Sequence, residues 1–501
     1  MLLLHSMNDY YYVGLLSWGC YLRLNKSEDF FIVEREMLDP FFKPKSVAII
    51  GATDRPNSLG RSLTENVLNT FLGKVYLVNI KGGSFNNIIM YKSILDVEED
   101  VDLALIITPS HTVVQILNEC GMKGVKGAII FSGGFSEIGH EGAELERKVI
   151  NIAKKYDIRI IGPNCVGIID NWLPLNATFI SSERWLKPPS GNVSIVSQSG
   201  ALGSLILDVS ATLNIGFSKF ISLGNSSDIG IADAVEYLAN DPTTKVIGIY
   251  LESVKEGRKL LNTLKKITHH KPVIILKGGI GEKGSAAAKS HTAAMSGPIE
   301  VLDGALKQVG AIRAKSFSEF ISLLNIFGKS KLIKGDRVAI ITNAGGMGVL
   351  VTDSLESRGI LLSEFTTTTY DKLKEAIPSY MGINNPIDVA GDADSYRYDK
   401  ILRILEDAPE VDIIVTVVLP QTPALDSENF SKMIVNHCKN SNKPLLLLIS
   451  GGDYAMKMAR WISSENVPVF FDPDELALSL KEYIKYNKYI TSFSNFNNLL
   501  S

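Results

Sequence analysis

Val193-Ser-Ile-Val-Ser-Gln-Ser-Gly-Ala-Leu-Gly203 and Val338-Ala-Ile-Ile-Thr-Asn-Ala-Gly-Gly-Met-Gly348 repeat one pattern. Each is a β-branched run, a tight turn of small residues and a helix start, and each following helix carries an aspartate at the same place, Asp208 and Asp353. Further along, GNSSDIG (224–230) resembles NNPIDVAG (384–391). A repeated strand, turn and helix at this spacing reads as an internal duplication of a flavodoxin-like domain.

The same grammar extends on both sides of the repeat. SVAII, KVYLVNI, DLALIITP, GAIIFSGG and IRIIGPN alternate with helix-length segments from Ser46 to Asn164, KVIGIYLE and PVIILKGG follow in the first copy, and VDIIVTVV and PLLLLIS in the second. Strands separated by helices imply right-handed crossovers and parallel sheets, an α/β fold. The expected organisation is an N-terminal extension over 1–36, a Rossmann-like domain over 37–186 closed by the link LKPPSGN, flavodoxin-like domains over 187–330 and 331–490, and a tail over 491–501. The extension is apolar and aromatic, but Asn8, Asp9 and Arg23 interrupt it. It makes a poor membrane span and lacks the basic start and small-residue cleavage site of a signal peptide. MLDPFFKPKSVAIIGA, from Met37, reads as the natural beginning of a domain.

At 501 residues, 45% apolar and 21% charged, with a net charge of −3, the chain supports about three domains of roughly 150 residues and carries no basic stripe for nucleic acid. Its four cysteines lie far apart, with neither a metal spacing nor a secreted framework, which points to a reducing, cytoplasmic setting.

Gly51-Ala52-Thr53 through Ser58 to Gly60 form a turn between a strand and a helix, where backbone N–H groups and the helix dipole favour a phosphate. The glycine spacing is not that of the dinucleotide fingerprint. The next strand ends in VNIKGG, with Lys81 where an NAD site usually has an acid, so a ligand with an extra phosphate, CoA or NADP, fits better. Pro109, Ser132-Gly133-Gly134 and Asn164 end successive strands and line the same carboxyl edge, where such folds bind ligands. The duplicated turns, Ser199-Gly200-Ala201 and Ala344-Gly345-Gly346, put bare N–H groups at two helix starts. Either alone is an ordinary packing turn; the pair suits a doubly charged phosphoryl group.

Among seven histidines, His5, His111, His140, His269, His270 and His437 read as structural or solvent-facing, the last on a surface helix. His291 differs, because it lies in GGIGEKGSAAAKSHTAAMSG (278–297), a stretch of small residues after a strand. Neutral imidazole there is approachable, and phosphohistidine is a reactive donor that splits one transfer into two. Its other ring nitrogen needs an acceptor. Glu252, ending an apolar strand one strand–helix–strand unit earlier, is the candidate; the alternative is a strand-end acid facing water. The matching strand of the second copy, VDIIVTVVLP, has no such acid, and no histidine follows it in a matching loop.

KPKSVAIIGATDRPNSLG, IIGPNCVGIID, SIVSQSGALG, GNSSDIG, SAAAKSHTAAMSG, ITNAGGMGV and NNPIDVAGDA, in this order, resemble the nucleoside-diphosphate-forming acyl-CoA synthetases. The type is the α subunit of the archaeal ADP-forming acetyl-CoA synthetase, with succinyl-CoA synthetase a more distant relative; the likeness runs from about Met37 to about Tyr489. The resemblance implies His291 as the phosphorylated histidine and Glu252 as its orienting carboxylate. It implies phosphate at Ser199, Gly200 and Ala201 and at Gly345 and Gly346. It implies CoA at Gly51, Ala52, Thr53, Ser58, Gly60, Lys81, Pro109 and Asn164. The implied reaction is acyl-CoA, ADP and phosphate to acid, CoA and ATP, through acyl phosphate and phosphohistidine. Because no ATP-grasp segment follows, a hetero-oligomer with a separate ATP-grasp β subunit is expected, with Mg²⁺ and ADP or ATP held there. Two alternatives belong to other classes: a non-catalytic CoA-binding regulatory or scaffold protein, which retention of both His291 and Glu252 disfavours, and an NADP-dependent redox enzyme.

Overall fold

The computed structural model describes residues 3–7, 10–14, 21–25, 37–281, 283–284, 299–333 and 335–500. In the extension, β1 (Leu3–Met7), β2 (Tyr10–Gly14) and β3 (Tyr21–Asn25) form an antiparallel sheet in that order.

The first domain holds β4 (Ser46–Ile50), β5 (Lys74–Val78), β6 (Ser84–Phe85), β7 (Ile88–Tyr91), β8 (Leu103–Ile106), β9 (Gly127–Ile130) and β10 (Arg159–Ile161), ordered β10-β9-β8-β4-β5-β7-β6. Apart from the antiparallel edge strand β6, all are parallel. Counting the β6–β7 hairpin as one position gives the doubly wound Rossmann order, with its switch point between β4 and β8. The apolar runs of β4, β8 and β9 are buried from end to end because helices cover both faces.

The second domain contains β11 (Gly167–Asp170), β12 (Leu175–Thr178), β13 (Ser190–Ser197), β14 (Phe217–Ser222), β15 (Val246–Leu251), β16 (Val273–Lys277) and β17 (Ile312–Ala314), ordered β12-β11-β14-β13-β15-β16-β17. The third has β18 (Arg337–Thr342), β19 (Leu361–Leu362), β20 (Ile387–Asp388), β21 (Ile413–Val418), β22 (Leu445–Ile449) and β23 (Val469–Phe470), ordered β19-β18-β21-β22-β23 with β20 also on β18. The parallel parts of both follow the flavodoxin-like order, the first strand flanked by the second and third. This is the α/β architecture expected: a Rossmann-like domain and two flavodoxin-like domains.

Side chains repeat between the two copies. Ser197 donates to the Ser199 carbonyl at 2.6 Å, and Thr342 to the Ala344 carbonyl at 3.0 Å. A Cβ at Gly203 would stand 3.1 Å from Ser197 Cβ, and one at Gly348 2.7 Å from Thr342 Cγ2, so each helix needs glycine to lie on its strand.

Three features were not visible in the pattern of runs. The β11–β12 hairpin precedes residue 186 yet pairs into the second sheet, so the division between sheets does not coincide with the Pro-rich link. The cause is chemical: Asp170 faces Lys219 across β11 and β14, and Lys219, 5% exposed, also reaches Asp241 at 3.0 Å. The helix Pro473–Leu500 runs through the residues expected as a tail and returns to the second domain, where Tyr483 packs edge-on against Phe327 with ring centroids 5.0 Å apart. His437, expected on a surface helix, is instead buried between Asp399 and Glu406, each 2.9 Å away. Burial lowers its pKa, but the two carboxylates outweigh this and hold it above the ordinary histidine value.

Lys219→Met strips the counter-ion from two buried carboxylates and is expected to cost about 3–5 kcal/mol at pH 7 in denaturant unfolding. Burial already pushes the Asp170 carboxyl up against the pull of Lys219. A group whose pKa is raised by folding favours the protonated native state, so the penalty should shrink as the pH falls through the carboxyl range.

Candidate functional site

The turn after β4 is shaped by close backbone approach. Gly51 has φ +102°, and a Cβ there would stand 2.8 Å from the Ile107 carbonyl oxygen; a Cβ at Gly60 would stand 2.7 Å from the Gly51 oxygen. Ser58 caps the helix Leu59–Thr70 by accepting from Arg61 N, and its own hydroxyl donates to the Arg55 carbonyl at 2.7 Å. Its side chain is thereby committed to shaping the turn. Asn79, at the end of β5, donates to the Ala52 carbonyl at 2.8 Å and accepts from Lys81 N at 2.9 Å, which ties exposed Lys81 to the same turn. Pro109 stands exposed at the start of the helix Ser110–Lys123. Exposed Asn164, at φ +58°, donates its N–H to the Ser132 carbonyl at 2.9 Å, and Ser132 Oγ is buried without a hydrogen-bond partner. The residues expected at the CoA end thus share the carboxyl edge of the first sheet.

A second edge is joined to this one through the loop Gly224–Gly230. Asn225 Nδ2 donates to Glu137 Oε2 at 2.7 Å, Glu146 Oε2 at 3.0 Å and Ser136 Oγ at 3.2 Å, and Asn225 Oδ1 lies 3.4 Å from Asn164 Nδ2. Asp228 accepts from Arg159 in bidentate fashion, at 2.9 and 3.1 Å, and from Ile160 N at 2.8 Å. Burial works to raise the Glu146 pKa, yet hydrogen bonds from Ser227, Ser136 and Asn225 together hold it below the usual value, so this carboxylate stays charged. From the other side Lys255 Nζ reaches the Asn225 carbonyl at 2.7 Å, bringing in the loop that follows Glu252.

Glu252 follows the last residue of β15, half-buried. Gln198, just past β13, accepts from Glu252 N at 2.7 Å and Ser253 N at 2.9 Å and returns a bond to the Ser253 carbonyl at 3.1 Å. Lys277, the last residue of β16 and 8% exposed, donates to the Glu252 carbonyl at 2.8 Å. Burial lowers its pKa while the charge of Glu252 opposes the shift. The Tyr250 phenol is pushed up to about 12, chiefly by burial and then by the nearby Glu252 charge. A Cβ at Gly278 would stand 2.4 Å from the Tyr250 hydroxyl, so any larger residue there must displace that phenol. His291 lies outside the described residues.

The two duplicated turns differ. Ser199 caps its helix by accepting from Leu202 N at 3.4 Å, whereas Ala344 offers no side-chain cap, so the N–H groups of exposed Gly345 and Gly346 are left open. Gly200 lies where a Cβ would stand 2.4 Å from Val166 Cγ2, and Ala201 is exposed. Leu202 and Met347, on the first turns of their helices, pack against one shared apolar cluster. Gln198, Asn225, Tyr250 and Lys277 did not stand out in the sequence. The repeat held a signal for the first: Asn343 takes the place of Gln198, accepting from Leu419 N at 2.8 Å and donating to the Leu419 carbonyl at 3.1 Å.

Residues 45–171 match the family model of a CoA binding domain, 190–327 that of a succinyl-CoA ligase like flavodoxin domain, and 338–481 that of a ligase-CoA domain. The chain is 39% identical over 455 residues, covering 90% of itself and 98% of the relative, to the α subunit of acetate–CoA ligase [ADP-forming] II of Pyrococcus furiosus. The chain belongs to the ADP-forming acetate–CoA ligase family. A relative in Methanocaldococcus jannaschii, acetate–CoA ligase [ADP-forming], is 41% identical over 89% of this chain, which spans 62% of that protein. Among solved structures, the acetyl-coenzyme A synthetase 1 of Ca. Korarchaeum cryptofilum, in complex with phosphate and ADP, aligns with a TM-score of 0.84 at 31% identity, covering 91% of this chain and 98% of that one. Among the described residues no helix is long and apolar enough to cross a membrane.

For a family member built this way, Gln198→Ala leaves the N–H groups of Glu252 and Ser253 without their acceptor. The expected cost is about 1–3 kcal/mol in unfolding, with activity falling further than stability explains. The retaining variant Gln198→Asn is the comparison; equal activity at equal stability in all three proteins would show that Gln198 does not position Glu252.

Proposed function

We propose that this chain is the α subunit of an ADP-forming acyl-CoA synthetase, which turns acyl-CoA, ADP and phosphate into free acid, CoA and ATP. The observation that carries the reading is Glu252: a half-buried acid whose backbone is held by Gln198 and Lys277 and whose charge acts on the Tyr250 phenol, at the end of the strand beside the one that precedes the His291 segment. Such fixing suits a carboxylate that must orient an imidazole rather than drift in water.

CoA would lie along the carboxyl edge of the first sheet, its phosphates at the Gly51–Gly60 turn and Lys81, and its thioester directed past Pro109 and Asn164. Inorganic phosphate, held at the Ser199–Ala201 and Gly345–Gly346 helix starts, attacks the thioester carbonyl, and the CoA thiolate leaves. The imidazole of His291 then attacks phosphorus of the acyl phosphate; the P–O bond to the carboxylate breaks and the free acid departs. Glu252 accepts the hydrogen bond of the other ring nitrogen and supports the positive charge that develops on the ring. The final transfer to ADP belongs to a partner subunit of ATP-grasp type, where Mg²⁺ would accompany the nucleotide.

Incubation of the chain with acetyl phosphate should place an acid-labile, base-stable phosphoryl group on His291, detected on the 285–297 peptide by mass spectrometry. His291→Asn should stay unlabelled. Glu252→Gln should bind CoA normally and label at least about 10²-fold more slowly. Tight CoA binding with no labelling of the wild type by acetyl phosphate, and no phosphate exchange with acetyl-CoA, would instead identify a CoA-binding regulatory protein.

A further inference from the structure

A cavity of about 990 Å³ opens between the second and third domains at the amino ends of their strands, the opposite edge from the CoA and phosphate residues placed above. Lys245 and Lys271 stand just before β15 and β16, Lys331 lies in the link to β18, and Lys439 comes from the helix Ser427–Asn440 of the third domain. Lys329, at the end of the helix Phe317–Lys329, completes the lining.

The charge on this wall is poorly compensated. Lys329 is 7% exposed, and its ammonium donates to the carbonyls of Leu213 and Ser463 and to the Ser463 hydroxyl, at 3.3, 3.2 and 2.6 Å. Lys271 gives its protons to the carbonyls of Leu238 and Asp241, and Lys331 to those of Lys439 and Ser441. The Asp241 carboxylate is turned onto Lys219, Thr243 and Thr244, and Glu465 is matched by Lys439 at 2.7 Å. A buried ammonium is normally paired with a carboxylate or another anion, and here Lys329 is met by neutral carbonyl and hydroxyl oxygens. Burial pushes Lys329 down to about 7 and Lys271 to about 8, the response of cations whose counter-charge is weak or distant.

We propose that this amino-edge cavity is a binding site for a polyphosphate-bearing small anion, either the triphosphate of a nucleotide or a free polyphosphate. A concave wall with five lysines against the single glutamate Glu465 concentrates such an anion, and lysines on rigid strand and helix ends are placed before it arrives. Phe327, Tyr483 and Tyr486, packed on one another, form an apolar floor to the same cavity. Because the lysines come from both flavodoxin-like domains and the link between them, the ligand would fasten the two together at a point remote from the chemistry.

Sodium tripolyphosphate titrated into the full chain by calorimetry tests the site. Lys245→Gln/Lys331→Gln removes two exposed cations, and Lys245→Glu alone leaves the internal lysine contacts untouched; Lys148→Gln, at an exposed lysine of the helix His140–Tyr156, is the third variant and the control, while Lys81→Gln separately reports binding at the CoA edge. Binding should weaken about tenfold or more in the first two proteins and remain at wild-type strength in the third. ATP binding more tightly than tripolyphosphate, with the same loss in the lysine variants, would assign a nucleotide; equal binding would assign the polyphosphate moiety alone. No binding by the wild type at physiological salt, loss confined to Lys81→Gln, or equal weakening in all three variants would overturn the proposal.

Discussion

The loop Gly224–Gly230 is the constraint on which the arrangement of the site depends. Its Asp228 carboxylate takes two guanidinium protons of Arg159 and the N–H of Ile160, at the start of the last strand of the first sheet, while Asn225 spans Glu137, Glu146 and Ser136. These partly buried, charge-assisted contacts fix one sheet against another more firmly than surface ion pairs do. Gly224 makes the approach close: it sits at φ +53°, and a Cβ there would stand 2.2 Å from the Pro163 carbonyl oxygen. With that loop seated, the CoA-side edge and the strand end carrying Glu252 are parts of one surface.

The duplication gives two copies of one frame that differ at their strand and helix ends. Both copies place an amide after their first strand to hold the end of their third, Gln198 over Glu252 and Ser253, Asn343 over Leu419. The frame is the same and the cargo differs. The first copy holds an acid at the strand end and caps its helix with Ser199; the second has leucine there and an uncapped helix start at Gly345. An uncapped start leaves its N–H groups to a ligand, so the copy without the acid is the one better equipped to receive an anion.

Much of this was legible in the sequence because it rests on local rules. Strand runs, small-residue turns and the repeat are set by neighbours along the chain, and they carried the fold class and the carboxyl-edge residues. What was not legible depends on contacts between distant segments. The β11–β12 hairpin joins the second sheet because Asp170 meets Lys219, and nothing near Asp170 in the chain announces that partner. His437 lies on a helix whose pattern reads as polar, and only Asp399 and Glu406 from another helix explain its burial. Gln198 looked like an ordinary polar residue between a strand and a turn; its function appears only when the end of β15 is laid beside it.

In the proposed mechanism the chain alone carries the reaction as far as phosphohistidine. The most direct measurement supplies acetyl-CoA and isotopically labelled inorganic phosphate to the isolated chain, with no nucleotide and no other subunit. CoA release in step with label on His291, and no turnover beyond that point, is the predicted result. CoA release without labelled histidine, or label on a different residue, would contradict the account.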